Sequence, residues 1–281
     1  MVGLRIKRVE ISASGFLNGV AAEIFVDRLS SKLSAFASRA VAGRENSEFS
    51  YYACSSTLDM ACSGGWFDPA VLSRRVHQAS TVRCSYSNAM QCATWGFLVR
   101  HHLANKPDVR NILLAIVDAN PLGMRFWDDN ESWGRTGHRV TLVHLQLPES
   151  GGEGAAWVER PSEAIVIGKC NPAAMLYDYA REIQKVMTSY PQHTLAIPYF
   201  EGKMRKGLKR NIVNYPHLPD LYEEYGHLCG ADPWMSIARD HSRAVPADRG
   251  YLAASIASEG YFCFLATIVD RTSEMSIEEG A

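Results

Sequence analysis

The stretch Ser87-Asn-Ala-Met-Gln-Cys-Ala-Thr-Trp-Gly-Phe-Leu98 decides how this chain is read. It joins a strand-like segment, TVRCSYSNAM (81–90), to one with helical spacing, CATWGFLVRHHLA (92–104). Cys92 stands at the junction. A cysteine at a helix start lies in the field of the N-terminal backbone N–H groups, which favours the thiolate. The same amides can hold the oxyanion of a thioester under attack. The ordinary alternative for a free cysteine is a small buried hydrophobe.

Outward from this junction, strand and helix patterns alternate. LRIKRVEISAS (4–14) and EFSYYACSS (48–56) read as strands, and NILLAIVDA (111–119) and RVTLVHLQL (139–147) as apolar strands. Residues 22–41 place Ile24, Phe25, Leu29, Leu33, Phe36 and Ala40 at helical spacing. Asp68-Pro69 opens another helix through Val76, with aspartate as N-cap and proline at the first helical position. Alternation of this kind predicts an α/β fold with covered sheets.

The linker-like run ESGGEGAA (149–156) divides the chain into 1–148 and 149–281. After it the order repeats: strand 163–168, helix 173–188, strand 193–198, helices 201–213 and 232–243, strands 250–257 and 261–269. An offset of 139 residues carries Trp95 onto Trp234, Arg100 onto Arg239 and strand 112–118 onto 251–257. Matched elements in matched order predict two pseudo-repeated α/β halves packed together.

Of the 281 residues 47% are hydrophobic and 21% charged, enough to bury a sizeable core. With 29 basic and 30 acidic residues, no global field draws the chain to nucleic acid or an anionic membrane. No apolar run approaches the roughly 18 residues of a membrane span. The opening MVGLRIKRVEISASGF alternates like a strand and lacks a signal-peptide core. Seven cysteines without CxxC pairs predict reduced thiols and a cytoplasmic setting, with neither a disulfide framework nor a zinc site. His101-His102 and His138/His144 also lack zinc-like spacing, so no metal is expected.

Residues 87–98 resemble the nucleophile segment of β-ketoacyl-ACP synthase III, a thiolase-like family. In that family a strand ends in small residues, and an acylated cysteine then opens a helix carrying Gly-Phe. Further segments fall in family order: Ile-Pro-Tyr-Phe (197–200), Tyr-Gly-His-Leu-Cys-Gly-Ala (225–231) and the final strand entering a turn at Gly260. The resemblance implies a thiolase-like fold and an acyltransferase or condensing enzyme acting on acyl thioesters, with Cys92 as nucleophile. It places Tyr199 where the family has its histidine and His227 where it has its asparagine. His227 is then the base and Tyr199 a hydrogen-bond donor to the thioester oxygen. The amides of Cys92 and Gly260 form the implied oxyanion hole.

Full decarboxylative condensation needs the donors this chain has exchanged, whereas acyl transfer needs a thiolate, an oxyanion hole and one base. The expectation is therefore acyl transfer from a CoA or carrier-protein thioester to an acceptor, in specialised metabolite biosynthesis, with no cofactor. The basic run EGKMRKGLKR (201–210) carries Lys203, Arg205, Lys206, Lys209 and Arg210 on a predicted helix, where the resemblance implies docking of an acidic acyl carrier protein. The resemblance also implies a dimer, either of like chains or with another condensing enzyme. The alternative is a non-catalytic partner subunit of a heteromeric ketosynthase. An unrelated cysteine hydrolase leaves the duplication unexplained.

Overall fold

The computed structural model describes residues 3–131, 133–148, 157–161, 165–166, 169–170, 172–242, 249–257 and 260–278. In chain order, β1 (Leu4–Ala13) leads to α1 (Ala22–Val41), β2 (Phe49–Cys54), the short α2 (Asp59–Ser63) and α3 (Pro69–Ser80). Next come β3 (Cys84–Ser87), α4 (Thr94–Asn105) and β4 (Asn111–Val117), then α5 (Arg125–Asp128) and the two-residue strands β5 (Asp129–Asn130) and β6 (Gly134–Arg135). β7 (Arg139–Gln146) is followed by β8 (Trp157–Pro161), β9 (Ile165–Val166), β10 (Lys169–Cys170) and α6 (Pro172–Ser189). The chain ends through β11 (Thr194–Ala196), α7 (Gly202–Ile212), α8 (Tyr222–Tyr225), α9 (Asp232–His241), β12 (Arg249–Ile256) and β13 (Tyr261–Glu278).

Local chemistry sets several of these boundaries. Asp68 caps α3 as the sequence predicts, its carboxylate accepting the Ala70 N–H at 2.8 Å. β3 stops at Ser87, short of the expected strand end at 90. There the Ser87 hydroxyl takes the Ala89 N–H and the Thr94 hydroxyl takes that of Met90, so side chains replace the ladder. β13 runs well past the expected 269, because β1 offers it a parallel partner from Glu274 to Glu278.

Strands β3, β2 and β4 are parallel neighbours, and β7 joins β4 and β1 antiparallel to both. β11 is parallel to β12, and β12 antiparallel to β13. The β1–β13 pair links the two sets, so among the described residues the series β11-β12-β13-β1-β7-β4-β2-β3 is continuous.

Which face each strand residue takes shows the layering. Leu113, Ala115 and Val117 of β4 pack with Phe25 and Leu33 of α1 and Leu72 and Val76 of α3. Leu252, Ala254 and Ile256 of β12 pack with Tyr179 and Ile183 of α6 and Leu208 and Ile212 of α7. The alternate residues of both strands, Ile112, Leu114 and Ile116 on one side and Tyr251 and Ala253 on the other, share a third core with α4 and α9. The order is outer helices, sheet, the α4/α9 pair, sheet, outer helices. α9 is buried along Asp232–Ala238, as a helix between two sheets must be. Helix–strand units α4–β4 and α9–β12 follow each other at the spacing read from the sequence. The boundary expected near 148/149, and most of the strand expected at 163–168, lie outside the described residues.

Candidate active site

Both central helices are entered through a single 3-10 turn, Gln91–Ala93 before α4 and Cys229–Ala231 before α9. Each turn holds a non-glycine residue in the left-handed region, Gln91 at φ 43° and Cys229 at φ 53°. Such backbone costs about 1–3 kcal/mol per residue and persists where the surroundings over-determine it. The turns pack closely because residue 230 is glycine: a Cβ there would stand 3.0 Å from Ile116 Cγ2 and 3.4 Å from the Cys92 carbonyl.

Cys92 is thus the middle residue of the first turn, and it is buried. The turn closes through Ala93 N–H on the Met90 carbonyl, which leaves the Cys92 amide uncommitted by that bond. Around its sulfur gather Cys229, His227 and Ser56, all buried. One ligand atom from each of Cys92, His227 and Cys229 lies within 4.8 Å of the others.

His227 is held from its backbone outward. Its N–H donates to the Arg135 carbonyl at 2.8 Å, and its carbonyl accepts from Gly137 N–H at 2.9 Å. Gly226 precedes it at φ 75°, where a Cβ would stand 2.5 Å from the Arg135 oxygen. The Phe200 ring stacks on the imidazole at 5.4 Å between centroids, and Trp133 lies at 6.1 Å. His227 Nδ1 is 2.8 Å from Asp232 Oδ2. Asp232, fully buried at the start of α9, is itself fixed: its Oδ1 accepts from Leu228 N–H at 2.7 Å and its Oδ2 from Tyr199 N–H at 3.0 Å. With Nδ1 on the carboxylate, Nε2 is the ring atom left for the Cys92 sulfur.

The electrostatics follow from these contacts. The Cys229 thiol donating to its sulfur, and then His227, outweigh burial and hold Cys92 well below the ordinary thiol value. Cys229, giving that hydrogen bond, is pushed well above it. Burial alone would lower His227, but Asp232 and Cys92 raise it to about 10. Burial raises Asp232 to about 6 against the pull of His227. These contacts favour a thiolate–imidazolium pair, with the Asp232 carboxyl against the imidazole.

The other expected site residues are placed differently. The Tyr199 hydroxyl is turned to Ser236 on α9 in a close contact, and it is the backbone N–H of Tyr199 that reaches the site's carboxylate. Gly260 sits at φ 83° and its N–H donates to the Ala257 carbonyl at 2.9 Å, an amide used to close its turn. Its neighbours Ser258 and Glu259 lie outside the described residues. On α7, Arg205 pairs with Asp220 at 2.7 Å and with Glu223, and Lys209 with Asp220 at 3.1 Å. Lys203, Lys206 and Arg210 are exposed. His102, by contrast, is a satisfied core residue, with Nε2 2.7 Å from the Val109 carbonyl oxygen.

Asp232, Ser56 and Asp118 escape the sequence reading. Asp232-Pro233 opening a helix five residues after His227 is the one local signal for the first. Ser56 and Asp118 follow β2 and β4, parallel neighbours in the sheet, and Ser56 N–H donates to Asp118 Oδ1 at 2.7 Å. Burial and the nearby Cys92 raise Asp118 to about 7.

No protein-family model matches the sequence, and no curated protein is significantly similar to it. Solved structures do match. A 3-oxoacyl-(acyl-carrier protein) synthase from Burkholderia xenovorans LB400 superposes with TM-score 0.63 at 11% identity, covering 98% of this chain and 97% of that one. AbyA1, a tetronic acid condensing enzyme, gives TM-score 0.59 at 12% identity, over 93% of this chain and 99% of that one. ChlB3, described as an acyltransferase, gives 0.62 at 12%, over 96% and 99%. Spread over nearly the whole length of each chain, these likenesses show that the fold is the thiolase-like one of the 3-oxoacyl-(acyl-carrier-protein) synthase III type.

Proposed function

We propose that this protein is an acyltransferase of the condensing-enzyme type, taking an acyl group from a CoA or carrier-protein thioester onto Cys92 and passing it to an acceptor. The observation that carries this is the Cys92–His227–Asp232 chain, buried at the start of the two central helices. In the first step the Cys92 thiolate attacks the thioester carbonyl. The oxyanion forms near the Cys92 amide and the Ser56 hydroxyl. The tetrahedral adduct collapses, the donor's C–S bond breaks, and the leaving thiolate takes the proton from His227.

That proton transfer resets the histidine. Once Cys92 is acylated it carries no charge, so one of the two anions that raise His227 is gone. The neutral imidazole then takes a proton from an acceptor hydroxyl, amine or thiol as that group attacks acyl-Cys92, and the sulfur leaves as thiolate. One histidine acts as acid and then as base, with Asp232 holding it in place throughout.

Delivery by an acyl carrier protein is supported by the exposed Lys203, Lys206 and Arg210. Lys203 also lines a cleft of about 590 Å³ between α5 and the start of α7. Glu201, on the same wall, donates its N–H to the Trp133 carbonyl, and the Trp133 ring lies beside His227. The description of AbyA1 as a tetronic acid condensing enzyme supports a role in specialised metabolite biosynthesis. The test is intact mass after incubation with a panel of acyl-CoA and acyl-carrier donors. One added acyl group, absent in Cys92→Ala, supports the reading, and no adduct from any donor refutes it.

A further inference from the structure

Cys229 transfers no proton and makes no bond to substrate in that reaction, yet its thiol is buried against the nucleophile and donates to its sulfur. Two sulfurs and one imidazole therefore converge, with their ligand atoms all within 4.8 Å of one another. A tetrahedral zinc ion with Zn–S near 2.3 Å sets its sulfur ligands about 3.8 Å apart. The three side chains thus stand within about one ångström of a ligating arrangement. We propose that Cys92, Cys229 and His227 form a binding site for a soft divalent cation of the zinc type, which blocks the nucleophile while it is bound.

Three further features favour a dication here. His227 already has the kind of support that zinc-ligating histidines take: its Nδ1 lies 2.8 Å from the buried carboxylate of Asp232, which leaves Nε2 for a ligand. The surroundings are acidic, since the carboxyl groups of Asp118 and Asp232 are both buried beside the cluster. Asp118 Oδ2 is fully buried and has no hydrogen-bond partner, although its other oxygen is satisfied by Ser56. Softness selects the ion: two thiolates and an imidazole suit zinc and disfavour magnesium or calcium. Three protein ligands leave a fourth position open, for water.

The binding step is balanced without a redox partner. The dication takes up the Cys92 thiolate, displaces the proton of Cys229 and that of His227, and releases both to solvent. Because Cys92 is shared, acylation and metal binding exclude each other. The inference uses the same cluster as the proposed reaction, but it is tested by binding alone.

The experiment is titration of the reduced, metal-free full chain with Co²⁺ under anaerobic conditions, followed by displacement with Zn²⁺. Expected are one equivalent bound, a thiolate-to-cobalt charge-transfer band, and loss of the band when Zn²⁺ is added. Cys229→Ser and Cys92→Ser should each weaken binding by about 100-fold or more, and Asp232→Asn by roughly 10–100-fold as an outer-shell change. Thermal melting of each variant checks that it is folded. No charge-transfer band up to millimolar Co²⁺, or a band that survives both serine variants, overturns the site. Acylation of the metal-free protein is scored separately. An adduct without cobalt binding sinks only the metal site, and cobalt binding without an adduct sinks only the acyl transfer.

Discussion

The indole rings of Trp95 and Trp234 meet edge to face, 5.1 Å between centroids, although 139 positions separate them in the chain. Each lies just inside a central helix, a few residues after the turn that carries Cys92 or Cys229. The contact packs the starts of the two central helices against each other beside the turns that precede them. Trp95 is further tied by its Nε1–H to the Ser255 hydroxyl at 3.0 Å. Trp95→Ala should cost about 3–5 kcal/mol, the range for a large aromatic removed from a packed core. Urea unfolding measures it, and a loss below about 1 kcal/mol would deny the pair its structural role.

The thiolate–imidazolium pair makes a pH prediction. Cys92 is held low and His227 is raised to about 10, so the reactive form exists across the neutral range. Alkylation of Cys92 by iodoacetamide should be nearly flat from about pH 6 to 9. In His227→Ala it should rise with pH, its midpoint moved up from the parent's because one of the groups holding the thiol low is gone while Cys229 remains. The same profile in both proteins would remove the ion pair.

Asp118 is predicted to act on stability with the opposite sign to a salt-bridged carboxylate. Its folded value, about 7, is raised above the unfolded 3.8. Between these values the folded state holds more protons on Asp118, so this group's contribution to stability is fully present below about 3.8 and is lost as pH rises through 7. The slope approaches about 1.4 kcal/mol per pH unit. Asp118→Asn should flatten it, read as urea midpoints at pH 5 and pH 8. An unchanged slope contradicts the assignment.

The exposed cations of α7 should govern association and leave the chemistry alone. Lys206→Glu with Arg210→Glu should weaken carrier-dependent turnover and its salt sensitivity, with little change on a small thioester. Equal loss with both donors makes the helix a structural element. Arg205 and Lys209 are poorer probes, because Asp220 and Glu223 already occupy them.

The sequence carried the fold through regular signals: the Asp68-Pro69 cap, the alternation in 111–119, and the paired helix–strand units. It singled out Cys92 and His227 as candidates through their places before the two central helices, and the structure brings the two side chains together. It did not carry Asp232, because a carboxylate at a helix start reads as an ordinary cap, and only the tertiary approach of Tyr199 N–H and His227 gives it another use. Tyr199 illustrates the reverse. Its position in the chain suggested a phenol at the thioester, but the hydroxyl turns to Ser236 and the backbone does the work. Cys229 was legible as part of the 225–231 segment but with no role of its own, since closeness of two sulfurs from different turns is not written in local spacing.

Tyr199→Phe follows from that geometry. The amide on Asp232 is kept and only the contact with Ser236 is lost, so about 1 kcal/mol of stability should go and acylation should barely change. A large fall in acylation with intact melting would return the phenol to the chemistry.

The most direct measurement is the single-turnover acylation rate of Cys92, read as acyl mass on the peptide Asn88 to Arg100, in the parent protein, His227→Ala and Asp232→Asn. The account predicts a clear adduct in the parent and a rate lower by about 10²–10⁴-fold in His227→Ala. Asp232→Asn should also be slow, with its alkaline limb moved down toward neutrality as the imidazole loses the charge that raises it. A parent rate matched by both variants, or an acyl group found on Cys84, Cys229 or Cys263 in place of Cys92, would contradict it.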